Sequence, residues 1–455
     1  MNEVSSKDRD SVDIKRADSV ALNDAVDVAL GTAKEQGASA SEVAASASQG
    51  LSLTVRKGDV ETVEHTRDRG LAMTIYFGNR IGSASTSDYS PASVRQTVEA
   101  ACSIARFTEE DPCHGLANPE SLATEFPDLD LYHPWELSMD DRIELSRRCE
   151  RAALDYDPRI ENSEGAVIDS HHGCEVYGNS HGFRGESQKT RYGISCSVIG
   201  KSNGNMQRDY WYTVGRRFED LEDASEVGEM AGARTARRLN ARKIKTCQSP
   251  VLFEAPVASS LLSHFIGAIS GGSLYRRASF LLDHLGESIF PDFVRIYEQP
   301  LLPRALGSAV FDSEGVVTDS SDIISNGVLQ RYILGSYSAC RLGLVTTGNA
   351  GGVHNLTIDS GQDDLAAMIT RLDRGLLVTE LIGFGVNSVT GDYSRGAAGF
   401  WVEDGEIQFP VEEVTIAGNL KKMFQSITAI GSDVDKKSNI RSGSILVDGL
   451  TIAGQ

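Results

Sequence analysis

The sequence predicts an α+β protein in two parts. The first is an N-terminal α/β domain built on a mixed or antiparallel sheet. The second is a strand-rich C-terminal domain, a curved sheet, sandwich or open barrel with helices packed on it. Three observations carry this reading. The first 110 residues run helix, several short strands, helix, and the strands are joined by turns too tight for parallel crossovers. The second half is dominated by β-rich runs divided by Asn-Gly and Asp-Gly pairs. At 455 residues the chain is also too long for one ordinary core. The expected division is a flexible charged arm over 1–20, an N-terminal domain over 21–245 and a C-terminal domain over 246–455.

Residues 21–36 carry Ala, Val and Leu at helical spacing and stop at Gly37, so a first helix is expected there. Residues 42–55, 60–66, 71–77 and 81–85 read as strands, with Lys57-Gly58-Asp59 and Gly78-Asn79 as turns. Ser90-Pro91 supplies an N-cap and a proline at the first helical position, opening a helix to about Arg106. Residues 108–134 are acidic and proline-containing, which predicts a long surface connection. Ser138 caps a further helix over 139–155, and residues 160–218 are strand-rich, with Asn203-Gly204 as a hairpin turn. Residues 224–242 form a helix whose arginine-rich end reads as solvated charge complementing the helix dipole.

The C-terminal half is organised around residues 250–286. Val257, Leu261, Leu262, Phe265, Ile266 and Ile269 recur at offsets of 0, 4, 5, 8, 9 and 12, the period of a helix with a wide apolar face, and Gly271-Gly272 ends it. His264 sits at its centre. A helical zinc peptidase motif needs Glu directly after the first His and a second His one turn on. Here Phe265 follows and no imidazole lies a turn away, so His264 reads as a helix histidine with a local hydrogen-bond partner. A hydrolase using Ser263 or Ser273 with His264 is an alternative without a G-x-S-x-G turn to support it. Beyond this helix, Asp312 and Glu314 fall in a turn cluster. The loop TTGNAGGVHN over 346–355 lacks G-K-[ST], which argues against phosphate cradling, and its glycines suit close approach of another chain or an extended peptide. His354 reads as a packed residue. A helix is expected over 363–373 and another over 419–430, with strands around them.

Lys+Arg number 44 against Asp+Glu 64, a net charge of −20, which argues against nucleic-acid partners and anionic membrane surfaces. No run of 18 apolar residues occurs, and the charged N-terminus lacks an apolar signal core, so a cytoplasmic protein without a membrane span is expected. Seven scattered cysteines without a C-x-x-C pair suit free thiols in a reducing compartment. His171, His172, Cys174 and His181 invite a metal reading. Neighbours on a strand point to opposite faces, however, which favours ordinary hairpin side chains.

The strings GAISGGSLYRRASFLLDHLG, FDSEGV, TTGNAGGVHN and TGDYSRGAAGFWVEDGEIQFPVEEVTIAGNL resemble the PmbA (TldE) branch of the TldD/PmbA metallopeptidase family. The resemblance spans nearly the whole chain and is strongest from residue 250 onward. It implies a cytoplasmic protein concerned with degrading or maturing small or unfolded peptides. In the TldD branch this helix carries His-Glu-x-x-x-His, and a cysteine near the C-terminus completes the zinc shell. By that correspondence His264 matches the first histidine, Phe265 replaces the Glu and Ile269 the second His, and no cysteine follows Cys340. The resemblance therefore implies no zinc and no catalytic residue in this chain, a TldD-like catalytic partner that holds the zinc, and a peptide substrate. Gly348, Gly351, Gly352 and the turn Asp392-Tyr393-Ser394-Arg395 are the expected lining of a peptide groove. A homodimeric peptide-binding scaffold is the competing expectation.

Overall fold

A computed structural model of the chain describes residues 6–454. In chain order the N-terminal half contains α1 (Ser6–Glu35), β1 (Ala40–Arg56), β2 (Asp59–Phe77), β3 (Arg80–Thr86), α2 (Pro91–Phe107), α3 (Met139–Asp155), β4 (Ile160–Asn179), β5 (Arg184–Ser202), β6 (Asn205–Gly215) and α4 (Ala224–Arg237). The strands form one sheet in the order β3-β2-β1-β4-β5-β6, antiparallel throughout. Its tight turns explain the pattern. Lys57-Gly58 and Asn203-Gly204 all take positive φ, the geometry that matches the twist of a two-residue hairpin.

Several boundaries differ from expectation. α1 starts at Ser6, well ahead of Ala21, so the arm expected over 1–20 is helical from residue 6 and its first five residues lie outside the described residues. The two strands expected over 60–66 and 71–77 are one strand, because Arg67–Gly70 keep pairing with Ser46–Gln49 of β1. One face of the sheet is covered twice. α1 and α2 bury Leu22, Val26, Val94 and Val98 on Val43, Leu71 and Ile75, while α3 and α4 bury Cys149, Val227 and Ala231 on Ile168, Ile194 and Val198.

The C-terminal half contains β7 (Cys247–Phe253), α5 (Ala255–Ile269), α6 (Gly271–Tyr275), β8 (Ile296–Glu298), β9 (Ser321–Ser325), β10 (Val328–Leu329), α7 (Ser336–Leu342), β11 (Leu356–Ile358), α8 (Leu365–Leu372), β12 (Gly375–Ile382), β13 (Asp392–Glu403), β14 (Glu406–Asn419), α9 (Leu420–Gln425), β15 (Ile427–Ile430), β16 (Ile440–Arg441) and β17 (Ile445–Ala453). Strands β14-β13-β12-β7-β17 run side by side, and a further β14–β17 pairing closes them into a five-stranded barrel. The barrel is closed where an open one was among the expectations. A second sheet, β10-β9-β8-β11-β16, packs alongside. Alternation along the barrel strands divides the core. Val251, Phe253, Leu376, Val378, Ile445 and Val447 join α5 and the second sheet, whereas Leu252, Leu377 and Leu446 face α8.

Residues expected as a helix over 419–430 divide into α9 and β15, because Ile427, Ala429 and Ile430 pair with β17. Asp392–Arg395, expected as a turn, form the start of β13 and pair with Ile416–Asn419. The turn lies just before, where Asn387 O accepts from Gly391 N at 2.8 Å.

Two features join the halves. The connection over 108–138 is a strap clamped between them. Ala123 N donates to Gly315 O (3.0 Å), Val317 N to Ser121 O (3.0 Å), Arg304 N to Leu129 O and Thr190 N to Leu131 O (2.9 Å each). Its beginning docks on α7, where Tyr337 donates to Asp111 and His114 stacks on Tyr337, and Cys113 is bonded to Cys340. The free-thiol expectation is thus corrected for this pair, which 227 residues of separation hid, and five free cysteines remain. Secondly, Arg234 and Arg238 at the end of α4 are buried, contrary to the solvated reading, while Arg237 is half-buried. Arg234 contacts Asp209 (3.4 Å) and Glu254 (3.1 Å), and Arg238 contacts Asp209 (3.5 Å) and Glu380. Tertiary partners from β6, β7's end and β12 supply the countercharge.

Candidate functional site

The α5 helix follows β7 directly, with Pro256 in its first turn and Ala255 N donating to Ser444 Oγ at 3.0 Å. Phe265 and Ile269 are wholly buried. The Phe265 ring packs edge-on against Phe290 (5.1 Å) and Phe424 (5.9 Å). His264 points to the other side and meets Tyr393 edge-on at 6.1 Å between ring centroids. Burial, then the Arg395 charge, lowers its pKa, keeping the imidazole neutral. Contrary to expectation it makes no hydrogen bond among the described residues. His264 Nε2, Tyr393 Oη and Arg395 Nε are all buried without a partner. Burial pushes the Tyr393 hydroxyl up to about 12.

The structure thus brings His264, Tyr393 and Arg395 of the expected residues together, while Asp392 and Ser394 lie exposed on β13. Ser263 Oγ donates back to Ser259 O (3.0 Å), and Ser273 Oγ is engaged by Ser270 (3.1 Å), so neither serine is hydrogen-bonded to His264. No group of three or more His, Cys, Asp or Glu with metal-ligand geometry occurs among the described residues. On β4, His172 packs edge-on against Tyr132 and Tyr192, and burial lowers its pKa.

The glycine loop belongs to a different place. Gly348 lies against Val317 O, where a Cβ would come within 2.5 Å of the carbonyl. Gly351 and Gly352 line a cavity of about 1040 Å³. The cavity lies between β5, the strap and the C-terminal loops around 306–313, 350–354 and 437–439. Phe311 seats one half on the other, its ring where a Cβ on Gly185 of β5 would be.

Two buried carboxylates hold the loop. Asp312 accepts from Ala350 N (2.9 Å), Glu314 N (2.9 Å) and Val316 N (3.0 Å). Its pKa is nonetheless pushed up to about 6, chiefly by burial. Glu298 accepts from Asn349 Nδ2 (3.0 Å) and His354 N (2.6 Å) and pairs with Arg331. Sequence reasoning placed Asp312 and Glu314 in an ordinary turn and did not single out Glu298. The clustering of FDSEGV with the glycine loop was the available signal, since a buried acid next to a Gly-rich loop serves its backbone N–H groups. Lys189 and Arg216, which also line the cavity, carried no sequence signal at all.

Three successive family profiles match the chain: PmbA/TldA metallopeptidase domain 1 over 41–105, the central domain over 132–239 and the C-terminal domain over 246–454. The chain belongs to the PmbA/TldD metallopeptidase family, as the resemblance implied. Within it the chain falls in the PmbA branch: it is 50% identical to Metalloprotease PmbA of Escherichia coli O157:H7 over 436 residues, covering 95% of this chain and 96% of that one. Among solved structures, a candidate modulator of DNA gyrase from Bacteroides thetaiotaomicron matches with a TM-score of 0.90 at 29% identity, covering 95% of this chain and 98% of the other. TldE from Thermococcus kodakarensis shares the fold, with a TM-score of 0.84 at 22% identity over 94% of this chain and 100% of that one. No helix among the described residues is long and apolar enough to cross a membrane.

Proposed function

We propose that this chain is the zinc-free subunit of a PmbA/TldD-type metallopeptidase, cytoplasmic, acting on small or unfolded peptides beside a TldD-like chain that holds the metal. The observation that carries this reading is the burial of Phe265 and Ile269, both 0% exposed in the C-terminal core. These are the positions where the resemblance puts the glutamate and second histidine of a zinc motif. One imidazole is left. A zinc site needs three or four protein ligands, and among the described residues His264 has none to join it, so the residues present do not fit the metal. Zinc chemistry is accordingly assigned to the partner. An apolar projection between β12 and β13 supports association with another chain: Phe384 is fully exposed, with Ile382 and Val389 about half exposed on the same segment.

The test is to purify the chain alone and together with a TldD-like protein, then measure metal content by mass spectrometry and cleavage of an unfolded peptide. The expected outcome is no stoichiometric metal and no cleavage by the chain alone, and chelator-sensitive cleavage by the complex. Stoichiometric zinc in the lone chain, with peptidase activity abolished by His264→Ala, would overturn the assignment. Native mass measurement of the same samples separates a heteromer from a homodimeric scaffold.

A further inference from the structure

The cavity between the two halves is lined by Asp128, Asp130, Glu175, Glu186 and Asp312 as well as by Lys189, Arg191, Arg216 and Lys437, and two of those cations, Lys189 and Arg216, have no acid within ion-pair distance among the described residues. Lys189, on β5, has no hydrogen bond or ion pair among the described residues, and burial followed by the Arg216 charge lowers its pKa. Arg216, 6% exposed, donates its terminal nitrogens only to neutral carbonyls, Thr190 O (3.0 Å) and Leu306 O (2.6 Å). Its Nε is buried without a partner, and burial with the Arg191 charge pushes its pKa down to about 10. From the other half, His354 faces them, close enough to Lys189 to feel that charge; burial, foremost, lowers its pKa, and its ring is turned to the backbone of Gly307 and Gly348.

The acids of the same walls are engaged elsewhere. Asp312 serves the glycine loop. Asp130 is shared by His133 (3.1 Å) and Arg304 (3.8 Å), Glu186 accepts from Ser19 and Gln188, and Asp128 accepts from Asp130 N. Glu175 is exposed, and its field reaches Lys189 from outside hydrogen-bond range. The remaining cations are matched, Arg191 by Asp169 (3.7 Å) and Lys437 by Glu222 (3.0 Å). Burying a cation without an anion is costly, and an incoming anion removes that cost.

We propose that this cavity is a binding site for an oxyanion, the carboxylate or phosphate group of a ligand, received by Lys189 and Arg216, with His354 on the facing wall. The volume exceeds what a single inorganic ion fills and suits a larger molecule anchored by its charged end. The rim of β5 offers such a molecule more. Pairing with β6 begins only at Tyr192, and Thr190 N points away from β4, to Leu131 O. By strand alternation the backbone groups of Gln188 and Glu186 lie on that same unpaired edge, beside the cavity. An extended peptide ending in a free carboxylate would use both features; a small phosphorylated or carboxylated molecule would use the first. The site is independent of the zinc-free assignment and would stand if the lone chain proved catalytic.

Isothermal titration of the full chain with inorganic phosphate, trialanine and trialanine amide tests it. The expected result is binding of trialanine, with the amide and the Lys189→Met variant each weakening it about tenfold, the scale of one charge-assisted hydrogen bond. Lys189→Arg should retain binding. Lys189→Met should also leave unchanged or raise the thermal midpoint of the ligand-free protein, since it removes a half-buried charge without a counterion, so loss of binding is not loss of fold. Binding of phosphate, weakened by Lys189→Met, with neither peptide bound, identifies a small anion as the ligand and still supports the site. Equal binding of trialanine and its amide without phosphate binding, binding indifferent to Lys189→Met, or no binding by any of the three probes overturns it.

Discussion

Phe265 lies between the rings of Phe290 and Phe424 with no exposed surface, so a carboxylate there would lose both aromatic contacts and carry a charge into the core. Phe265→Glu is expected to destabilise the protein by about 4 kcal/mol or more, read from urea denaturation, without conferring zinc binding. Asp312 gives a pH signature. Its folded pKa of about 6 lies above the unfolded value, so the folded state holds the proton more tightly. The resulting stabilisation is complete below about pH 4 and lost as the pH rises through about 6. Relative to Asp312→Asn, the wild type should therefore lose about 2 kcal/mol of stability between pH 4 and pH 7, measured by denaturant midpoints across that range. These two residues also divide by legibility. Phe265 was readable because helical period and a motif position coincide on it, whereas Asp312 sits in a turn whose role depends on what the fold places above it.

The elements were legible where local chemistry closes on itself. Ser90 accepts from Ser93 N and Ser138 from Asp141 N, both as the caps predicted, and the Asn-Gly hairpin forms in register. Errors fell where pairing with a distant strand overrides local preference: β2 runs unbroken because β1 pairs with it throughout, and β15 is a strand because β17 lies beside it. The strap over 108–138 is the largest such case. Expected over 108–134 as a surface connection, it is held by both halves and bonded through Cys113–Cys340. Cys113→Ser is expected to lower stability by about 2–4 kcal/mol in the absence of reductant, and to make the strap cleavable in limited proteolysis. Alkylation of the unfolded, unreduced wild type should label five cysteines, and all seven after reduction.

Across the whole molecule, the halves are joined by the buried cluster of Arg234, Arg238, Asp209 and Glu254, with Arg237 at its edge. Arg234→Met leaves Asp209 and Glu254 short of a counterion in a site where Arg234's side chain is only 8% exposed. It should cost about 3 kcal/mol or more and separate one calorimetric unfolding transition into two, as the halves lose their coupling. By itself the sequence determined the α+β class, the antiparallel hairpins, the apolar face of α5 and the apolar Phe265 and Ile269 that flank His264, because each is written in neighbouring residues or in helical and strand periods. Only the tertiary structure decided that the barrel closes, that Cys113 meets Cys340, that Arg234 and Arg238 are buried, and that Lys189, Arg216 and His354 converge on one cavity. Those outcomes join residues tens to hundreds of positions apart, where no local period operates and the countercharge, the partner sulfur or the neighbouring strand is supplied by packing alone.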